Sequence, residues 1–436
     1  MTVNTTQYQL RYGRGAVAFN LPEDVQVTCI RKPKMPLLSD TRAAVLQALD
    51  QAVASAPLSQ LAAGAKTACI AICDITRPVP NHLFLRPLIE CLLAAGLTAD
   101  NICVLVATGL HRPNLGAELE ELLGDPWVHQ HVAVYNHDAR NDAEHVSLGN
   151  TPTRGTAVRL DRRFVEADIR IATGLVEPHF MAGYSGGRKV IAPGLAHAET
   201  ITTFHSAGFM ANPAATNCNF SGNPLHEEQL QIVQMLGGAL ALNTVIDEDR
   251  QLAFVNFGEV VASHVQAVDY VRRYCEVVVD RPFSTVVTCA AGYPLDKTYY
   301  QTIKGMVGGL GILSPGGDLI IASECSEGMG SPEFVEAQQR LISQGKGEFL
   351  RSLHAKPRAS IDEWQTQMLL RALDRGRVHL YSEKMYVDRS QSGSNLPTAV
   401  EHIPCLQTAI RKSLQRHQTQ ALAVIPEGPY VVPYVG

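Results

Sequence analysis

The sequence predicts an α/β fold: two α/β domains with mostly parallel sheets covered by helices. Three observations carry that expectation. Short apolar runs rich in Val, Ile and Ala alternate with longer helical patterns along nearly the whole chain, which is the βαβ rhythm of a parallel sheet. Polar, reactive residues follow directly after several of these runs, where open α/β sheets bind their ligands. A break at Arg281-Pro282 separates a first series of runs from a second, so the boundary falls near 275–283 and the domains are 1–275 and 276–436.

In the first series, 67–73 reads as a buried strand, 83–93 as a helix and 101–107 as the next strand. A helical stretch at 115–123 follows, then strands at 132–135 and, after a hairpin around Gly149-Asn150, at 169–172. Residues 174–215 are dense in Gly, Pro, His and Ser and show neither a two-residue nor a 3.6-residue period; a long irregular stretch inside a compact chain is usually functional. A helix at 225–236, strands near Leu242 and Phe254 and a helix at 259–274 complete the series. The second series runs strand 284–289, helix 297–306, strand 318–322, helices from Glu333 and at 364–373, strand 378–381, helix 406–414 and strand 421–425.

A chain of 436 residues buries a large core without disulfides or structural metals. With 37 Lys and Arg against 42 Asp and Glu, the formal charge is −5, and no basic tract marks a nucleic-acid binder or a polybasic membrane anchor. A hydrophobic fraction of 46% and a charged fraction of 18% exclude disorder. The start is polar, without the layout of a signal peptide, and no run approaches the ~18 apolar residues of a membrane span. Ten cysteines are scattered without a C-x-x-C pair, and Cys69 and Cys103 lie inside apolar runs. A reducing, cytoplasmic setting is expected.

The chemistry concentrates where strands end. After 67–73 comes Asp74-Ile-Thr-Arg77-Pro78: Arg77 is suited to clamp a carboxylate, and Asp74 to hold the guanidinium or a sugar hydroxyl, unless the two simply order the turn. After 101–107 comes Thr108-Gly-Leu-His111-Arg-Pro113, a histidine placed for general base work or for a loop hydrogen bond. After 169–172 comes Gly174-Leu-Val-Glu-Pro-His179, running on to Gly183, Gly186, Gly187, Arg188 and Lys189. Its glycines let backbone N–H groups approach an anion, although the pattern is not that of a P-loop. His205, in Phe204-His205-Ser206, is a metal ligand, a cap or a filler by position alone. In the second series, Tyr300 and Lys304 are spaced i and i+4, so both can face one cleft, with Gln301 beside them. Two motifs carry nothing further. Gly13-Arg-Gly15 lacks the helix a dinucleotide fingerprint needs and reads as a hairpin, and His129-Gln-His131 has no third ligand at a zinc-like spacing.

The ordered set of Asp74-Ile-Thr-Arg77-Pro78, Ala107-Thr-Gly-Leu-His111-Arg-Pro113, Gly174 through His179 to Lys189, Ala192-Pro-Gly194, Phe204-His205-Ser206 and Tyr300-Gln301-x-x-Lys304 resembles the nickel-dependent lactate racemases and the wider 2-hydroxyacid racemases and epimerases. The resemblance covers roughly 70–310, and Trp364 falls where that family places an active-site tryptophan. It implies two α/β domains with the active site in the cleft between them. It also implies a nickel pincer nucleotide, the pyridinium-3-thioamide-5-thiocarboxylic acid mononucleotide carrying nickel, attached through Lys189. His205 would then be the protein's nickel ligand, since soft sulfur donors plus one imidazole suit nickel. Gly186, Gly187 and Arg188 would hold the cofactor, with Asp74 beside it orienting Arg77. His111 and His179 would be the two acid/base residues. Arg77, Tyr300, Gln301, Lys304 and Trp364 would meet the substrate, a small 2-hydroxy acid such as lactate. The partners implied are that acid and the proteins that make the cofactor, with neither nucleic acid nor membrane.

Racemisation explains why such a set is needed. The C2–H bond of a hydroxy acid is hard to deprotonate, whereas hydride loss coupled to removal of the hydroxyl proton gives a planar 2-keto acid. A pyridinium ring can take and return the hydride, and each enantiomer turns its hydroxyl to a different base. Three other readings compete: an NAD-dependent 2-hydroxyacid dehydrogenase, which the missing glycine fingerprint disfavours, a protein that binds the nickel cofactor without racemising, and a zinc hydrolase.

Overall fold

The computed structural model describes residues 5–385 and 398–436. Twelve strands build two six-stranded sheets. In chain order they are β1 (Gln26–Cys29), β2 (Ala68–Cys73), β3 (Ile102–Ala107), β4 (Ala133–Asn136), β5 (Ile169–Leu175), β6 (Leu240–Ile246) and β7 (Leu252–Glu259), then β8 (Phe283–Cys289), β9 (Leu313–Ala322), β10 (Gly376–Tyr381), β11 (Glu401–Ile403) and β12 (Ala421–Ile425). The first sheet runs β7-β6-β5-β2-β3-β4 and the second β11-β10-β9-β8-β12-β1. Every pairing is parallel except β6 with β7. The central strands are apolar throughout because helices cover both faces: β2, Ala-Cys-Ile-Ala-Ile-Cys, has five of its six residues buried.

The first thirty residues do not stay with the first sheet. A hairpin of Thr5–Tyr12 and Gly15–Pro22 turns at Gly13-Arg14 and packs Leu10, Phe19 and Leu21 against Val287 and Ile320 of the second sheet. β1 then forms that sheet's edge, pairing with β12. The expected turn at Gly149-Asn150 is also displaced: those residues end strand His145–Asn150, which pairs antiparallel with Ala157–Asp161, and the connection lies at 151–156. Helix Tyr299–Gly308 begins two residues later than the sequence suggests, because Thr298 caps it by accepting from Gln301 N at 3.2 Å. The irregular stretch after β5 folds into short pieces: Pro178–His179 paired with Gly183–Tyr184, then helices Arg188–Ile191, Ala198–Phe204 and Ala207–Ala211.

One buried apolar cluster joins the two halves, including Ala71, Phe180, Ile191 and Phe204 from the first and Ile303, Met306 and Trp364 from the second. Among the described residues, no helix is long and apolar enough to cross a membrane.

Candidate active site

In the first sheet the chain steps outward from β2 to β3 and β4 on one side, and occupies β5, β6 and β7 on the other. The carboxyl ends of β2 and β5 therefore flank a topological switch point, the usual ligand crevice of such sheets. Asp74 and Arg77 follow β2, His111 follows β3, and Glu177 and His179 follow β5. Asp74, Arg77, His111 and His179 line an inner cavity of about 140 Å³ together with Lys189 and His205. The second sheet closes it with Tyr300 and Lys304 from helix Tyr299–Gly308 and Trp364 from helix Glu363–Arg375. An outer chamber of about 800 Å³ shares Asp74, His111 and Tyr300 with the inner cavity and lies between the two halves. Beside it, Arg112 and Glu118 of the first half meet Lys297 and Glu327 of the second: Arg112 is 2.6 Å from Glu118, and Lys297 is 3.1 Å from Glu118 and 2.7 Å from Glu327.

Asp74 does not orient Arg77 by direct contact. Its Oδ2 lies 2.6 Å from His111 Nδ1, and Oδ1 accepts from the Thr76 hydroxyl at 2.6 Å. Burial pushes its carboxyl up, but His111 and the Thr76 hydroxyl outweigh burial and hold it at about 2. An ionised carboxylate accepts only, so the proton of neutral His111 sits on Nδ1 and Nε2 offers a lone pair. The Tyr300 ring meets His111 edge-on, with centroids 6.4 Å apart.

His179 is arranged the other way. Its Nδ1 accepts from Met181 N at 3.3 Å and Ala182 N at 3.1 Å, so Nε2 carries the proton. Burial, reinforced by Lys189 and Arg77, holds its pKa well below the ordinary histidine value.

Three basic side chains surround the cavity. Arg77 Nε lies 3.3 Å from Glu177 Oε1, Lys304 donates to Gln301 Oε1, and the Lys189 side chain forms no ion pair among the described residues. Burial, with Arg77 and Arg188 nearby, brings the Lys189 ammonium down to about 7, so a large share is the nucleophilic free amine at neutral pH. His205 donates Nδ1–H to Ile201 O at 2.9 Å, and burial drops its pKa to about 4. Its Nε2 is therefore a neutral donor atom with the ring fixed from behind, the preparation of a metal ligand. Trp364 packs against it, with centroids 4.8 Å apart.

Among the described residues, no group of three or more His, Cys, Asp or Glu side chains could hold a metal ion. A metal here has to bring most of its donors with it. That fits a pincer-type ligand anchored on the Lys189 amine and completed by His205, and does not fit a zinc site built from three protein side chains.

Three expected residues lie elsewhere. Arg188 is 1% exposed and faces away from the cavity, donating to Ala182 O at 3.0 Å, contacting His264 Nδ1 at 3.2 Å and stacking on Phe220. Gly187 has φ +49°, and a Cβ there would sit 2.6 Å from the His264 ring, so its missing side chain makes room for His264 rather than for a phosphate. Gln301 lines the outer chamber instead of the inner cavity. Two residues with no expected role stand at the site. Glu177 pairs with Arg77, and Asp362, at φ +62°, lines both chambers and accepts from Ser331 Oγ at 2.5 Å. A carboxylate two residues before His179 was the available sign for Glu177; Asp362 had none.

Residues 12–217 match the family described as the lactate racemase N-terminal domain, and residues 278–432 the lactate racemase C-terminal domain. A lactate racemase from Thermoanaerobacterium thermosaccharolyticum is 31% identical over 388 residues, spanning 86% of this chain and 88% of its own. A lactate racemase from Lactiplantibacillus plantarum is 31% identical over 392 residues, spanning 89% and 90%. The structure of the lactate racemase apoprotein from T. thermosaccharolyticum superposes with a TM-score of 0.87 at 29% identity, covering 98% of this chain and 100% of that one. A Thermotoga maritima protein shares the fold at a TM-score of 0.67 and 18% identity, covering 91% and 97%.

Proposed function

The chain belongs to the lactate racemase family and is an isomerase, and from that premise we propose that it inverts C2 of lactate or a related small 2-hydroxy acid by proton-coupled hydride transfer through a planar 2-keto acid. The convergence of His111, His179, Arg77 and His205 on one cavity carries the reading. Lys189 and His205 would hold a nickel pincer nucleotide, which would supply the hydride-transfer chemistry when bound.

This chain's residues do the rest. Arg77 and Lys304 hold the substrate carboxylate, the guanidinium through its paired N–H groups. His111 takes the hydroxyl proton at Nε2, and ionised Asp74 stabilises the imidazolium that forms. With the carboxylate fixed, the keto oxygen can swing to the opposite side. There His179, once its Nδ1 has released the two backbone amides and taken a proton from solvent, returns the Nε2 proton and is left neutral, while His111 loses its proton to solvent. For the other enantiomer the exchange runs in reverse: neutral His179 with its proton on Nδ1 takes the hydroxyl proton at Nε2, and protonated His111 returns one. Tyr300 and Trp364 close the cavity from the second half and exclude water. Ten unpaired thiols fit a reducing, cytoplasmic setting, and the proteins that build and load the cofactor are the partners this reading requires.

The direct test incubates cofactor-loaded protein with L-lactate and, in parallel, with a panel of small chiral 2-hydroxy acids, followed by chiral chromatography. The expected product is a racemate; retention of configuration across the whole panel sinks the proposal. His205→Ala should lower bound nickel in elemental analysis, and unchanged nickel would refute its role as ligand.

A further inference from the structure

One buried charge beside the substrate pocket has no part in the scheme above. Glu177 is 8% exposed, follows β5 directly, and reaches Arg77, which follows β2. Its main chain is fastened as well: Glu177 N donates to Ser185 Oγ at 3.2 Å, and Ser185 N donates to Glu177 O at 2.9 Å. One residue thus ties together the guanidinium, the loop carrying His179 two positions on, and the loop leading to Lys189.

The pair is made at Nε. The closest approach of the two side chains is there, and among the described residues the terminal nitrogens Nη1 and Nη2 of Arg77 form no hydrogen bond. A guanidinium grips a carboxylate through paired N–H groups in one plane, so a hold on Nε from the side fixes that plane and leaves the end of the fork open. Glu177 Oε2 is buried without a hydrogen-bond partner, so the carboxylate engages Arg77 from one side. A buried carboxylate is expensive unless it is paired, and this one is spent on the substrate clamp.

We propose that Glu177 is a positioning residue for the reaction: by holding Arg77 at Nε it aims the guanidinium at the substrate carboxylate and keeps C2 in register with His179. The proposal rests on reading Arg77 as the carboxylate clamp. Misplacement by about 1 Å costs on the order of 100-fold in rate, whereas removing a negative charge beside the clamp does not weaken its attraction for an anion. Glu177→Gln should therefore lower kcat by about 10- to 100-fold and leave KM for lactate unchanged or lower.

The experiment compares cofactor-loaded wild type, Glu177→Gln, Glu177→Asp and Arg77→Ala by steady-state kinetics in both directions and by calorimetric titration with pyruvate. Glu177→Gln is expected to lose kcat while binding pyruvate at least as tightly as wild type. Glu177→Asp, which keeps the charge on a shorter stem, should recover part of kcat. Wild-type kcat in Glu177→Gln overturns the proposal, and so does a fall in kcat matched by a raised KM and weakened pyruvate binding. Should Glu177→Gln not fold, Glu177→Asp decides alone: lowered kcat with unchanged KM supports positioning, and wild-type kcat refutes it. Arg77→Ala should raise KM and abolish pyruvate binding. If it does neither, the clamp reading itself falls and takes the proposal with it, an outcome distinct from failure at Glu177 alone.

Discussion

The loops after β3 and β5 each bring an imidazole to the same cavity and prepare it in opposite ways. His111 stands at the mouth with its side chain 38% exposed and a carboxylate against Nδ1. His179 is 7% exposed and has two backbone N–H groups against Nδ1. The carboxylate forces a proton onto Nδ1 of the first ring; the amides force it off Nδ1 of the second. As a sequence the two histidines look interchangeable. In the structure, His111 offers a lone pair at Nε2 and His179 an N–H, and on the proposed reading this readies each ring for a different hand of substrate. Because two enantiomers have equal free energy, kcat/KM must be the same in both directions. The unequal preparation therefore emerges in kcat and KM taken separately.

Glutamine substitutions are the sharpest way to break that comparison. The amide of His111→Gln cannot take a proton, so racemisation should fall by roughly 1,000-fold or more in both directions, near the upper range for a lost general base, with nickel content unchanged. Activity within about tenfold of wild type would end the assignment, because a lost general base costs more than that. His179→Gln keeps an N–H donor where Nε2–H was, so its loss should be smaller, about 10- to 100-fold. Both variants are measured by chiral chromatography of lactate, with nickel per chain as the loading control. Equal losses would mean that the backbone amides at His179 have no bearing on its role.

The comparison also marks what the sequence could convey. The strand-ending clusters were legible because a parallel sheet gathers its carboxyl ends at one edge: Arg77, His111 and His179 lie far apart in the chain but follow adjacent strands. The partnerships were not legible. Asp74 meets His111 only because β2 and β3 are in register, Cys73 beside Ala107, and Glu177 meets Arg77 only because β2 also neighbours β5. Arg188 misled for a local reason. It and Lys189 occupy successive positions of the short helix Arg188–Ile191, and successive helical residues point about 100° apart, so the two cannot both face the cavity. The placement of β1 was hidden too, since four residues pairing with a strand nearly 400 positions away leave no periodic trace.

Stability against pH gives the smallest effect and tests the two environments without turnover. The folded Asp74 carboxyl titrates at about 2 against an ordinary 3.8. A depressed carboxyl contributes stability that is fully present above its unfolded value and disappears as pH falls through the folded one. The contribution is about 2 kcal/mol. The difference in melting between wild type and Asp74→Asn should therefore hold steady above about pH 5 and close between about pH 4 and 2; carboxylates common to both proteins cancel. His179 predicts a different window. Burial holds its imidazole well below 6.5, so the unfolded chain takes up the proton first, and wild type should lose ground to His179→Gln once pH drops below about 6.5. Two differences that close over the same pH range would show that the rings share one environment, and the opposite placement of their protons would have to be abandoned.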